Sequence, residues 1–334
     1  QVEVPQSSGI FTNGPRIWNN IGDLRNQGLE FTLNTINIDR GGFQWSSSFN
    51  LTTNQNEVLK LTGEEDEEIY NVRNSALVTE VGESIGYFRL AEYAGIDPQG
   101  GYELIYEMDL ERFEETGERV RTGNTIPATR SNLQDHLFDF KDKTGLPTFF
   151  GGFTNNFRYK GLDLSAVLVF SGGNYIYDLA ERSQSYISGG GIIREAIEGN
   201  TWTESNPNAE WPQLTWNERY DVINDDGTIS ENERFDNQRS GQVHDKFLKK
   251  GDYLRMRTLQ LAYNLPSGLM ERWKMNGIRV YVSANNLFTI TEFDGYDPEV
   301  VSLGNAQGRN IGQGWVGVTL PQVRSWNMGV TFSF

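Results

Sequence analysis

The last ten residues constrain this chain more than any other feature: Trp326, Met328, Val330, Phe332 and Phe334 alternate with Ser325, Asn327, Gly329, Thr331 and Ser333. A period of two sends successive side chains to opposite faces of an extended strand, so one face is wholly apolar and the other polar or bare. A strand of a soluble sandwich also alternates. Here, however, the apolar face is crowded with large side chains and the chain stops on an aromatic, as outer-membrane barrel strands typically do. No run approaches 18 consecutive apolar residues, which excludes a transmembrane helix, whereas a transmembrane strand needs only about 9 to 11 residues.

The same pattern recurs upstream. Leu29, Phe31 and Leu33 alternate with Glu30, Thr32 and Asn34, and Phe43, Trp45, Phe49 and Leu51 with Gln44, Ser46, Ser48 and Asn50. Asp39-Arg40-Gly41-Gly42 between them reads as a tight turn. A second pair sets Phe153, Phe157 and Tyr159 against Thr154, Asn156 and Arg158, turns at Lys160-Gly161 and returns through Leu162, Leu164, Ala166, Leu168 and Phe170. A third runs through Leu259, Leu261 and Tyr263, breaks at Leu265-Pro266 and resumes from Arg279 to Phe288, with room for one helical turn around Ser267 to Met275. Roughly eight to ten strands are expected in all, and eight can close a small barrel.

Between the hairpins, residues of about 53 to 148, 172 to 250 and 289 to 323 are polar and rich in Gly, Asn, Asp and Glu. Structureless loops beyond about 12 to 15 residues are uncommon in compact soluble domains. Short turns alternating with long loops are how outer-membrane barrels are built. Glu30, Arg158, Asp163, Arg255, Arg257 and Arg279 lie opposite the aromatics, a placement costly against lipid and acceptable towards a hydrated lumen. The expected fold is therefore all-β, a transmembrane antiparallel β-barrel with long extracellular loops.

A net charge of -16 argues against nucleic acid, which needs clustered Lys and Arg. The absence of cysteine removes disulfides and Cys-ligated zinc. Gln1-Val2-Glu3-Val4-Pro5 has neither an initiator Met nor the regions of a signal peptide and reads as an internal start.

Several ordered motifs carry a family resemblance. Gly251 to Pro266, GDYLRMRTLQLAYNLP, resembles the "YLRLKNLTLGYTLP" stretch of the SusC-like branch of TonB-dependent transporters. Ile278 to Thr289 is similar to that family's "RVYVSAQNLFT", and Gly295-Tyr296-Asp297-Pro298-Glu299 to its "GYDPE". Leu146-Pro147 with Gly151 to Gly161 resembles "LPKYYGGFTNTFSYKGFDLS", Ala94-Gly95-Ile96-Asp97-Pro98 resembles "AGIDPQTG", and Asn26 to Glu30 resembles "NKGIE". The resemblance to SusC/RagA-like proteins implies the C-terminal part of a 22-stranded barrel with a plugged lumen. It further implies active import of an oligosaccharide or oligopeptide across the outer membrane, driven by a TonB complex that contacts a segment outside this chain. The implied partner is a SusD-like surface lipoprotein closing over the long loops. A different class of function on the same fold is a structural subunit of a larger outer-membrane assembly without transport.

Other motifs are weighed beside that reading. Gly82-Glu83-Ser84-Ile85-Gly86 matches the hydrolase pattern G-x-S-x-G, but no strand and helix alternation surrounds it, so no enzyme is expected. Ser188-Gly189-Gly190-Gly191 lacks the Lys-Ser/Thr of a P-loop and reads as a flexible loop. His136 and His244 have no ligand-like spacing. Asn224 to Glu233 is rich in hard oxygens, which calcium selects. With Gly227 at position 6, Asn224, Asp226 and Glu233 fall on positions 3, 5 and 12, while Val222 takes position 1 and Asp221 comes one residue early. No other cofactor is suggested. Trp202, Trp211 and Trp216 share one loop with Glu204, Asn206, Asn208 and Glu210, a mixture suited either to stacking on a ligand or to anchoring the loop.

Overall fold

The computed structural model describes residues 2–5, 16–19, 22–61, 69–70, 76–185, 195–224, 226–235, 243–266, 268–269, 275–299 and 312–334. Eight strands form one antiparallel sheet: β1 (Glu30–Arg40), β2 (Phe43–Thr53), β3 (Phe149–Tyr159), β4 (Leu162–Gly172), β5 (Tyr253–Asn264), β6 (Gly277–Asn285), β7 (Thr289–Thr291) and β8 (Ser325–Ser333). The order across it is β8-β6-β5-β4-β3-β2-β1, and β7 pairs back onto the start of β5.

The three pairs expected from alternation all form, for reasons visible in their turns. Gly41 and Gly42, with φ of 62° and 81°, join β1 to β2, and Lys160 and Gly161, with φ of 46° and 87°, join β3 to β4. Two consecutive left-handed residues match the right-handed twist of the flanking strands, which is why such hairpins close in so few residues. The third pair ends at Asn285, earlier than the alternation suggests. Asn286 turns left-handed (φ 52°), and the chain then forms β7. Of its connection, residues 268–269 are helical, while Ser267 and residues 270–274 lie outside the described part.

Register lines the apolar residues into rows across the sheet. Val330, Val280, Tyr263 and Leu162 stand side by side, as do Met328, Val282, Leu261, Leu164, Phe157 and Trp45. Trp45 stacks on Phe157 at 5.6 Å and Phe49 on Phe170 at 6.1 Å, contacts that reward this register over any slip of one residue. Among the described residues nothing covers the end of this face at the last strand, where Met328 is 86% and Phe334 83% exposed.

One row interrupts the apolar face. Thr35, Ser47 and Asn155 are in register beside an irregularity at Ile36/Ile38. Asn155 Oδ1 accepts from Ser47 Oγ at 2.8 Å and from Trp45 Nε1 at 3.0 Å; Asn37 Nδ2 donates to Ser47 Oγ at 2.7 Å, and Thr35 Oγ1 to Asn37 Oδ1 at 2.9 Å.

The long segments are not the structureless loops expected. They hold a sheet of Ile69–Tyr70, Leu77–Thr79, Tyr87–Leu90 and Phe138–Thr144, a second of Tyr93–Ile96, Glu103–Met108 and Arg121–Pro127, and helices Leu110–Thr116 and Leu179–Ser185. They also supply nearly all the buried core. One cluster gathers Leu77, Phe88, Leu90, Tyr177, Trp211, Phe247 and Trp315; another gathers Tyr102, Ile105, Leu133, Tyr220 and Phe235. Most of these strands have only two to seven residues, so their apolar residues never build a run long enough to read as periodic. Among the described residues no helix is long and apolar enough to cross a membrane, which says nothing of strands.

Candidate functional site

The polar face of the sheet carries charge at both ends. Near the short turns, Asp163 accepts from Arg158 Nε at 3.0 Å, Arg279 Nη1 at 2.5 Å and Asn264 Nδ2 at 3.0 Å. Gln44, Ser46, Asn156, Ser165 and Gln260 continue this surface around a pocket of about 360 Å³. Two guanidinium groups facing one carboxylate leave the patch with one positive charge in excess.

At the opposite end Arg255 leans into the root of the 289–323 segment, its side chain only 3% exposed. It donates through Nη2 to Asp297 Oδ1 at 2.5 Å, through Nη1 to Glu299 Oε2 at 2.7 Å and through Nε to Thr289 Oγ1 at 3.0 Å; Arg257 pairs with the same Glu299. Asp297 also accepts the backbone N–H groups of Glu299 and Gln322, each at 2.9 Å. Burial alone would raise the Asp297 pKa, and these hydrogen bonds outweigh it, holding the carboxyl below its ordinary value. Both feet of the segment are thereby tied to β5. Alternation placed Arg255 and Arg257 away from the aromatic face; their hold on the loop was not legible, because the Asp and Glu they grip lie more than 40 residues away.

Further along, Trp315 stacks on Tyr177 at 4.3 Å and pairs with it in a short parallel bridge. A Cβ on Gly145 would lie 2.2 Å from the backbone of Gln313, so Gly145 is where two loop segments pass backbone to backbone.

The folded loops share a buried polar centre. Glu103 is fully buried; His244 Nε2 lies 3.1 Å from one of its oxygens and Lys246 Nζ 3.7 Å from the other. Lys246 also donates to the Glu210 carbonyl at 3.0 Å and sits 3.8 Å above the Trp211 ring, and burial pushes its pKa down. Asp245 accepts the Tyr93 N–H at 2.8 Å, and burial pushes its pKa up. His136 Nδ1 accepts the Met108 N–H at 3.0 Å. Ser84 lies in the turn between Leu77–Thr79 and Tyr87–Leu90, with no helix after it, so the strained strand-to-helix elbow of a hydrolase is not formed there. The Ser188 to Gly191 segment lies outside the described residues.

The three tryptophans separate. Trp202 is buried, with Nε1 donating to the Pro98 carbonyl at 3.1 Å; Trp211 belongs to the first core cluster. Trp216 is 71% exposed. In the acidic hairpin of Arg219–Ile223 and Ile229–Arg234, the turn brings Asn224 and Asp226 together and seats Glu233 on the return strand opposite Tyr220. Asp226 Oδ1 accepts from the Thr228 N–H at 2.9 Å and hydroxyl at 2.6 Å, and Asn224 Nδ2 donates to Thr228 Oγ1 at 2.9 Å. Val222, at position 1 of the calcium register, points into the second core, and Asp225 is outside the described residues. Among the described residues no group of three or more His, Asp or Glu is arranged to hold a metal.

Against known proteins, 99% of the chain aligns at 27% identity with TonB-dependent receptor P3 of Formosa agariphila and covers 30% of it. With TonB-dependent receptor SusC of Bacteroides thetaiotaomicron, 85% aligns at 26% identity and covers 25%. The chain thus spans about a third or less of the curated relatives it matches. No protein-family model matches. All of the chain superposes on a solved structure of the RagAB peptide transporter with a TM-score of 0.73 at 25% identity, covering 31% of that chain. The RagAB peptide importer in its closed-closed state gives 0.72 at 25%, covering 32%.

Proposed function

We propose, for a chain that is SusC/RagA-like in sequence and in its all-β fold, that it forms the C-terminal portion of an outer-membrane barrel importing a large nutrient. The observation that carries this reading is the two-faced sheet. A broad apolar surface suited to outer-membrane lipid backs a polar surface lined by Arg158, Asp163, Arg255 and Arg279, with folded loops above it. The transported molecule is an oligosaccharide or an oligopeptide, the second supported by the two RagAB structures, which are described as peptide transporters. The TonB complex supplies the energy through a segment outside this chain, and a SusD-like surface lipoprotein closes on the loops. The role is transport without catalysis, in keeping with relatives named as receptors.

Within this reading Trp216 is the loop tryptophan whose ring remains open to a ligand or to the lipoprotein, while Trp202 and Trp211 hold the loops together. Calcium at Asn224, Asp226 and Glu233 is a proposal that rests on their hard oxygens alone; its expected sign is a calcium-dependent rise in melting temperature that Asp226→Asn abolishes.

The deciding experiment deletes the TonB-contacting segment from the full-length protein and follows uptake in cells together with outer-membrane fractionation. Transport predicts normal fractionation with uptake lost. Uptake unaffected by the deletion would instead favour a structural subunit of an outer-membrane assembly.

A further inference from the structure

A cleft of about 1140 Å³ opens among the folded loops, far larger than the pocket on the sheet. Its floor is the paired stretch Phe88–Leu90 and Phe138–Phe140, and its rim is the segment from Phe113 to Arg121 together with Glu80, Glu92 and Lys141. Eight charged side chains line it, four cationic and four anionic, in a chain that carries 29 basic against 45 acidic residues in all. The cleft is therefore locally neutral within a strongly acidic protein.

The charges fall into two tiers. On the floor, Arg89 is 2% exposed and pairs with Asp139, which also faces Arg119 at 3.5 Å. At the rim, Arg121 is 46% exposed and pairs with Glu92, while Lys141 is 42% exposed and lies 3.3 Å from Glu80 and 3.0 Å from Glu83. Buried pairs stay fixed because separating them leaves an unsolvated charge. Exposed pairs are worth little and exchange partners readily.

The aromatic rings decide what kind of ligand such a surface suits. A neutral glycan is held by stacking its ring on an open aromatic face. Each aromatic lining this cleft is already occupied: Phe113 lies under the Arg119 guanidinium at 4.4 Å, Phe140 under Lys143 Nζ at 4.3 Å, and Phe138 is buried. A polyanionic glycan calls for an excess of positive charge, which four against four does not provide.

We propose that this cleft binds a mixed-charge oligopeptide, whose carboxylates replace Glu92 and Glu80 on Arg121 and Lys141 and whose ammonium groups meet the acidic side chains so released. The proposal names the substrate class for the import reading above and rests on it. Rim ion pairs open and reform with the ligand at little net cost, and the floor keeps its shape.

The test uses the purified full-length protein in detergent and a fluorescent peptide of alternating Lys and Glu, with maltoheptaose as competitor. The expected result is binding that weakens in about 0.5 M NaCl and falls at least about tenfold in Arg121→Gln/Lys141→Gln. Arg219→Gln, outside the cleft, leaves it unchanged. The exchange Arg121→Glu/Glu92→Arg keeps the rim pair but reverses its polarity, so it retains the melting temperature while losing peptide affinity. Unchanged affinity in the rim variants, or displacement of the peptide by maltoheptaose, overturns the proposal. Import that continues at full rate in the rim variants sinks the cleft and spares the import reading; cleft-dependent binding without import in cells does the reverse.

Discussion

At the scale of single residues, the strongest commitments are the buried charges of the loops. Arg255→Leu leaves the buried Asp297 without its cation, and Glu299 with Arg257 alone, and should cost about 3 kcal/mol, read as faster proteolysis of the 289–323 segment while the sheet stays intact. The Asp297 pKa lies below its ordinary 3.8 in the folded protein. Its stabilising contribution is therefore fully present above 3.8 and is lost as pH falls through the lower folded value. Hydrogen exchange at the feet of the segment should rise in that acid range, and Asp297→Asn should remove the dependence. Glu103→Gln deprives Lys246 and His244 of their shared carboxylate and should lower the melting temperature by the equivalent of about 3 kcal/mol. Little of this was legible beforehand. Alternation showed which way Arg255 points, but no pattern in sequence pairs Glu103 with His244, because that contact depends on how separate loops fold onto one another.

At the scale of elements, the hairpins were legible because each carries two agreeing signals, a period of two and a turn made for φ > 0. Gly161 shows how much rests on the turn: a side chain there meets both the left-handed backbone penalty and the Asn264 carbonyl at 2.7 Å. Gly161→Val should therefore cost about 1–2 kcal/mol from the backbone alone, measured by urea unfolding in detergent. The elements of the long segments gave only one such signal or none. The helix Leu110–Thr116 is bounded by Asp109, whose side chain accepts the Arg112 N–H, and by Gly117 at φ 75°, yet it has no buried residue, and without an apolar stripe its caps do not announce it.

At the scale of the whole molecule, the sheet has two faces of opposite character, which the import reading sets against lipid and against water. Leu261 faces the apolar side and Gln260, its neighbour, the polar side. Leu261→Arg should destabilise the full-length protein in lipid by about 2–4 kcal/mol, while Gln260→Arg should change stability little; equal effects would mean that the faces are misassigned. Above the sheet, buried contacts join residues from every long segment, and this has a consequence for how such a molecule can change. Tyr177 and Trp315 prop each other up, Gly145 lets Gln313 pass, and Lys246 caps Trp211. No loop can be exchanged alone without withdrawing a support from the others. If the import reading holds, new ligand preferences should therefore be acquired by transplanting the loop assembly as one cassette, or by altering half-exposed rim side chains such as Lys141. Single-loop grafts are expected to yield poorly folded chimaeras, a result that expression level and protease sensitivity would show directly.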